Sequence, residues 1–111
     1  AEVAALPWLW DLWSLPHQRA PAGDWRTWLV LGGRGAGKTR AGAEWVRSRV
    51  EGPRPSDPGR CRRVALVAET LDQAREVMVM GDSGLLAVSP PDRRPRLVAT
   101  RRLLEWPNGA T

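Results

Sequence analysis

Within eight residues, Gly32-Gly33-Arg34-Gly35-Ala36-Gly37-Lys38-Thr39, the chain sets four glycines against one lysine and one threonine hydroxyl. A triphosphate presents crowded anionic oxygens, and backbone N–H groups approach them closely only where side chains are absent. Gly32, Gly33, Gly35 and Gly37 give that access. Lys38, the only lysine of the chain, supplies a cation for the outer phosphates. Thr39 supplies a hydroxyl for magnesium, and a helix opening there adds the positive end of its dipole. The spacing therefore predicts a P-loop holding ATP and Mg2+ through the whole run, Ala36 included. Arg34 inside the loop is the expected charge on the terminal phosphoryl group as it leaves, so Lys38 and Arg34 are the candidate catalytic residues. Arg40, directly after the loop, is counted among the nucleotide-binding residues. In the transfer step it reads as a solvated or ion-paired arginine.

The motif carries weight only between a strand and a helix, and the flanking residues supply both. Trp28-Leu29-Val30-Leu31 is a short apolar run bounded by glycine, the pattern of a strand buried on both faces of a parallel sheet. From Lys38 to about Val50, Ala43, Val46 and Val50 recur at i, i+3 and i+7, which predicts a helix with a narrow apolar side. Gly52 to Gly59 is a proline and glycine tract and reads as a solvent loop. Val64-Ala65-Leu66-Val67-Ala68 is a second predicted buried strand. Thr70 and Gln73 form a capping-box pattern that opens a helix running to about Met80. Turn signals follow at Gly81 to Gly84, with a loop at Pro90 to Pro95. Leu97 to Ala99 and Leu103 to Trp106 then read as short strands. Asn108-Gly109 favours a tight hairpin turn with positive backbone angles, and the chain is read as stopping within a sheet.

Upstream, Leu6, Leu9, Trp10 and Trp13 share one side of a short predicted helix that Pro16 ends. At that spacing they read as a packed apolar face rather than a base-stacking platform. His17 to Asp24 is an extended connector.

Hydrolysis also needs a carboxylate to hold magnesium and a second to activate water. Glu69 ends the second predicted strand but has no adjacent acid, and Glu105 is no better placed. The hydrolytic carboxylates are expected beyond Thr111.

Composition narrows the class without deciding it. With 111 residues, 42% apolar and 26% charged, the chain fits one compact unit. Its net charge of +5 comes almost wholly from arginine. That suits a phosphate partner and equally reflects a GC-rich coding sequence. The single Cys61 excludes an internal disulfide. His17, with no ligand at metal spacing, argues against a zinc centre. No apolar stretch approaches the roughly 20 residues that cross a bilayer. No secretory signal is recognisable, and a reducing cytoplasm is the expected compartment.

Gln18, Pro21, Gly23 to Leu29, the loop Gly32 to Thr39 and Arg40-Ala41-Gly42-Ala43-Glu44-Trp45-Val46 together resemble the start of a large terminase subunit. This is the DNA-packaging motor of tailed phages and phage-like gene transfer agents. The similarity continues through Val64 to Thr70 and Leu103 to Gly109. It implies an α/β P-loop fold of the additional-strand type, a mostly parallel sheet flanked by helices. On this chain that fold would stop before the Walker B strand. Residues 1–24 would form an N-terminal helix and adenine-side connector, and 25–111 the first part of the ATPase domain. It further implies that Gln18 reads adenine through its side-chain amide. The implied partners are duplex DNA, a portal protein, a small terminase subunit and further copies in a ring, working at the procapsid in the host cytoplasm. The rival readings are a helicase, a small-molecule kinase, or a non-catalytic module docking through Trp8, Trp10 and Trp13.

Overall fold

The structure, a computed structural model, describes residues 9–10, 14–32 and 37–111. Its central element is helix α1, Lys38–Val50. Ala43, Val46 and Val50 bury the side that the heptad-like spacing predicts, and Ala41 is buried with them. Against this stripe pack Val79, Leu85 and Val88 from the next helices and Leu104, Trp106 and Ala110 from the C-terminal part. Removing each valine or leucine side chain from water contributes about 1.5–3 kcal/mol. This cluster is therefore the main source of cohesion.

Helix α2, Leu71–Gln73, starts where the capping pattern places it, with the Thr70 hydroxyl accepting from the Gln73 N–H at 3.1 Å. The predicted helix does not continue as an α-helix. It widens into a π turn over Ala74–Val79, closed by the Met80 N–H donating to the Arg75 carbonyl. A wider turn brings residues five apart into line, and Val79 reaches the core while Val77 and Met80 stay exposed. The single-turn helix α3, Leu85–Val88, buries Leu85 and Val88 completely and has no counterpart in the sequence reading. Four residues are too few to carry a period.

Strands β1, Arg96–Val98, and β2, Leu103–Glu105, pair antiparallel with Leu97 opposite Leu104. Their connection passes through a 3-10 turn, Ala99–Arg101, and a left-handed Arg102 at φ 55. Beyond β2, the Trp106 N–H donates to the Ala110 carbonyl and the Gly109 N–H to the Trp106 carbonyl. This is a three-residue hairpin in which Gly109, φ 88, takes the left-handed position. The expected Asn-Gly turn is thus present, but only its glycine is left-handed, because Pro107 starts the turn with its fixed negative φ.

The fold is mixed, helices with a two-stranded antiparallel hairpin. This corrects the expectation of a mostly parallel sheet, for the described residues contain none. Trp28–Leu31 and Val64–Ala68 are not strands here. Their burial still alternates with period two. Trp28 and Val30 are half-buried, whereas Leu29 and Leu31 are 73% and 82% exposed. Val64 and Leu66 are half-buried, and Val67 is 81% exposed. Chains of strand composition form strands only when ladder partners lie alongside. One rung exists: Thr111 donates to the Arg62 carbonyl at 2.8 Å and accepts from the Val64 N–H at 3.0 Å. Exchange of one residue with the neighbours of another is the parallel pattern.

Of the Leu6 to Leu15 helix expected upstream, residues 1–8 and 11–13 lie outside the described residues. Trp10 is helical, and the Ser14 N–H donates to its carbonyl at 2.8 Å. After Pro16 the chain makes a 3-10 turn, Pro16–Gln18. The proline and glycine tract closes on itself by a bridge between Glu51 and Pro58 and an Arg54–Asp57 ion pair.

The C-terminal end of α1 is closed by a distant residue. The Asn108 amide donates to the Val50 carbonyl at 2.7 Å and the Asp57 carbonyl at 2.9 Å, and its oxygen accepts from the Ala110 N–H. Asn108→Ala breaks all three bonds and is expected to lower stability by about 2–3 kcal/mol. Urea unfolding of the two proteins measures it.

Candidate functional site

Gly37 is the N-cap of α1 and sits in the left-handed region at φ 82, ψ 26. No side chain caps the helix here, and its first turn holds no acidic residue. Among the described residues nothing caps the first amides of this 13-residue helix, and the positive end of the dipole stands behind them. Lys38 and Thr39 stand on this first turn. The exposed Lys38 ammonium donates to the Gly32 carbonyl, which brings the two ends of the glycine-rich run together. Gly33, Arg34, Gly35 and Ala36, and with them the expected role of Arg34, lie outside the described residues. Thr39 is half-buried. With Lys38 it edges a cavity of about 390 Å3 whose walls include Ala43, Val46, Val64 and Leu66. A larger cavity of about 530 Å3, also bordered by Val64 and Leu66, is lined instead by the hairpin and α2.

Gln18 is brought to the same corner. It is 8% exposed, and its side-chain N–H donates to the Gly37 carbonyl at 3.1 Å. Its side-chain oxygen accepts from the Leu15 N–H at 2.9 Å. The amide that the family resemblance assigns to adenine is thus engaged by protein groups at both ends.

Arg40 does not stand free. Its guanidinium binds Glu44 at 2.9 Å and lies over the Trp10 ring, 5.2 Å from the centroid. The chain of charges continues from Glu44 to Arg47 at 3.1 Å, from Arg47 to Glu51 at 2.6 Å and from Glu51 to Arg93 at 3.4 Å. Arg47 also donates to the Val88 carbonyl, and Arg93 to the Gly52 and Pro53 carbonyls. This network ties the helix that carries the site to α3 and to the proline-rich loop. The sequence reading offers an ion pair for Arg40 and misses the rest, although Glu44, Arg47 and Glu51 fall at the three- and four-residue spacings of helical ion pairs.

Glu69 is exposed at the end of residues 64–68, and Glu105 pairs with Arg96 across the hairpin at 3.4 Å. Among the described residues no cluster of three or more His, Cys, Asp or Glu could hold a metal. No helix among them is long and apolar enough to cross a membrane.

A family model described as "Terminase large subunit, T4likevirus-type, N-terminal" matches residues 29–111. The chain belongs to the large terminase subunit family. Comparison with curated proteins and with solved structures gives no match. Large terminase subunits are ATPases and nucleases, and membership places the chain in phage DNA packaging. The matched residues include the glycine-rich run and α1, and they begin after Gln18.

Glu44 gives this terminase region a measurable electrostatic signature. Burial opposes its ionisation more strongly than Arg47 and Arg40 favour it, so its carboxyl titrates above the ordinary 4.5. The folded state then holds this proton more tightly than the unfolded chain. The contribution is full below pH 4.5 and falls as pH rises through the folded value. The stability of wild type minus that of Glu44→Gln should therefore decrease from about pH 4 to about pH 7. Urea midpoints of both proteins across that range test the sign.

Proposed function

We propose that this chain is the ATP-gripping portion of a terminase packaging motor. The observation that carries this reading is the uncapped start of α1, with Gly37 left-handed and the Lys38 ammonium reaching back to the Gly32 carbonyl. An oriented set of amides beside a lysine and a hydroxyl matches the charge and spacing of a polyphosphate tail. In this reading the run from Gly32 to Thr39 holds the phosphates, with Lys38 serving the outer ones and Arg34 supplying charge for the terminal group. Thr39 fits magnesium, since its hydroxyl sits on the first helical turn next to Lys38. Bound magnesium would neutralise charge between the outer phosphates. Arg40, held by Glu44 and Trp10, contributes positive potential from just beyond the loop.

The fold proposed for the working protein is the additional-strand P-loop type. Two observations support it: the period-two burial at residues 28–31 and 64–68, and the parallel rung at Thr111. Exposed Leu29, Leu31 and Val67 lie on sides that covering helices of such a sheet would bury. Family membership sets aside the helicase and small-molecule kinase readings. In the full motor, hydrolysis in a ring of identical subunits would drive duplex DNA into a procapsid in the host cytoplasm. A portal protein and a small subunit would be its partners. Duplex DNA is also the phosphate-rich partner that the arginine excess suits.

Calorimetric titration with MgATP tests the site. Lys38→Ala is expected to weaken binding at least about tenfold, the loss of one charge-assisted phosphate contact. Thr39→Ala should remove most of the difference between titrations with magnesium and with a chelator. Unchanged affinity in Lys38→Ala would put the nucleotide elsewhere.

A further inference from the structure

The side chain of Gln18 is bonded to the residue that opens α1. The Gly37 carbonyl accepts two hydrogen bonds, from Gln18 Nε2 at 3.1 Å and from the Ala41 N–H at 3.0 Å. A carbonyl with both lone pairs engaged has little freedom to rotate. Because the peptide bond is planar, the direction of the Gly37 C=O also fixes that of the Lys38 N–H, the first amide of α1. The contact is close as well as directional. A Cβ on Gly37 would lie 2.0 Å from Gln18 Nε2.

The amide is itself held in place. Leu15 donates to its oxygen at 2.9 Å, and the Gln18 N–H returns to the Leu15 carbonyl at 2.9 Å. Arg19 ties the same turn to the Ser14 hydroxyl at 2.7 Å.

We propose that Gln18 is a positioning residue for the polyphosphate site, aiming the first amides of α1 by bracing the Gly37 carbonyl. The role rests on the reading of that turn as a phosphate site. It differs from adenine recognition, since it acts equally on ligands with any base or none.

The test uses the full chain with magnesium and three probes: inorganic tripolyphosphate, ATP and GTP. Gln18→Met keeps the length of the side chain and removes both hydrogen bonds. Gln18→Glu keeps the acceptor for Leu15 and removes the donor to Gly37. Both variants are expected to weaken all three probes by a common factor of about five to ten, the loss of roughly one hydrogen bond, and to leave the ATP to GTP ratio unchanged. Ser14→Ala loosens the same turn without touching Gly37. It should lower the urea midpoint and leave tripolyphosphate affinity at the wild-type value.

Variants at Gln18 that bind tripolyphosphate normally and change only the ATP to GTP ratio would make Gln18 a base reader and overturn the proposal. So would a Ser14→Ala loss as large as that of Gln18→Met, which would reduce the effect to general loosening. A wild-type chain that binds none of the probes would overturn the phosphate-site reading and this role with it.

Discussion

The two ends of α1 are finished in opposite ways, and the rest of the structure follows from that contrast. A helix leaves unpaired carbonyls at one end and unpaired amides at the other. At the C-terminal end, Glu51, Cys61 and Asn108 donate to the carbonyls of Arg47, Arg49 and Val50. Those donors come from the helix boundary, the segment after the proline-rich loop and the final hairpin. Closing that end therefore draws most of the chain around one helix. At the other end no side chain among the described residues caps the amides, and Gly37 is the N-cap. Cohesion is concentrated where α1 stops, and the proposed chemistry lies where it starts.

How far the sequence speaks depends on whether a signal is local. The apolar side of α1, the Thr70 cap and the hairpin turn at Gly109 each rest on residues no more than two helical turns apart, and each is found where the pattern puts it. The glycine-rich run suggests the proposed site for the same reason, since it packs its chemistry into eight residues. What escaped is either too short or too distant. Helix α3 is a single turn. The Asn108 contacts span 58 and 51 residues, and no spacing rule reaches that far. The strand readings at 28–31 and 64–68 expect burial on both faces, whereas Leu29, Leu31 and Val67 are exposed and no ladder forms, because cover and pairing come from other segments and a sequence window holds one.

The charge network along α1 shows why an arginine excess is an ambiguous sign. Arg40, Arg47 and Arg93 look, in composition, like material for a phosphate partner. In the fold they are occupied with Glu44 and Glu51, and with carbonyls of α3 and the proline-rich loop. The work of Arg47 and Arg93 is structural, and Arg40 combines such a pairing with the charge it lends to the proposed phosphate site. Glu44, almost fully buried, is the reason they are needed, since a carboxylate withdrawn from water is costly unless guanidinium groups surround it. Among the described residues, those that would meet phosphate directly in the proposed site have small or short-range roles: Gly37, Lys38 and Thr39.

Position 37 has an unusual genetic consequence. Two separate demands exclude a side chain there, the left-handed backbone and the proximity of Gln18. Shortening residue 18 would relieve the collision and leave the backbone penalty of about 1–2 kcal/mol untouched. It would also surrender the brace on the carbonyl. No single compensating change at residue 18 can therefore restore an alanine at 37, and a search for suppressors of such a lesion would have to look elsewhere in the molecule.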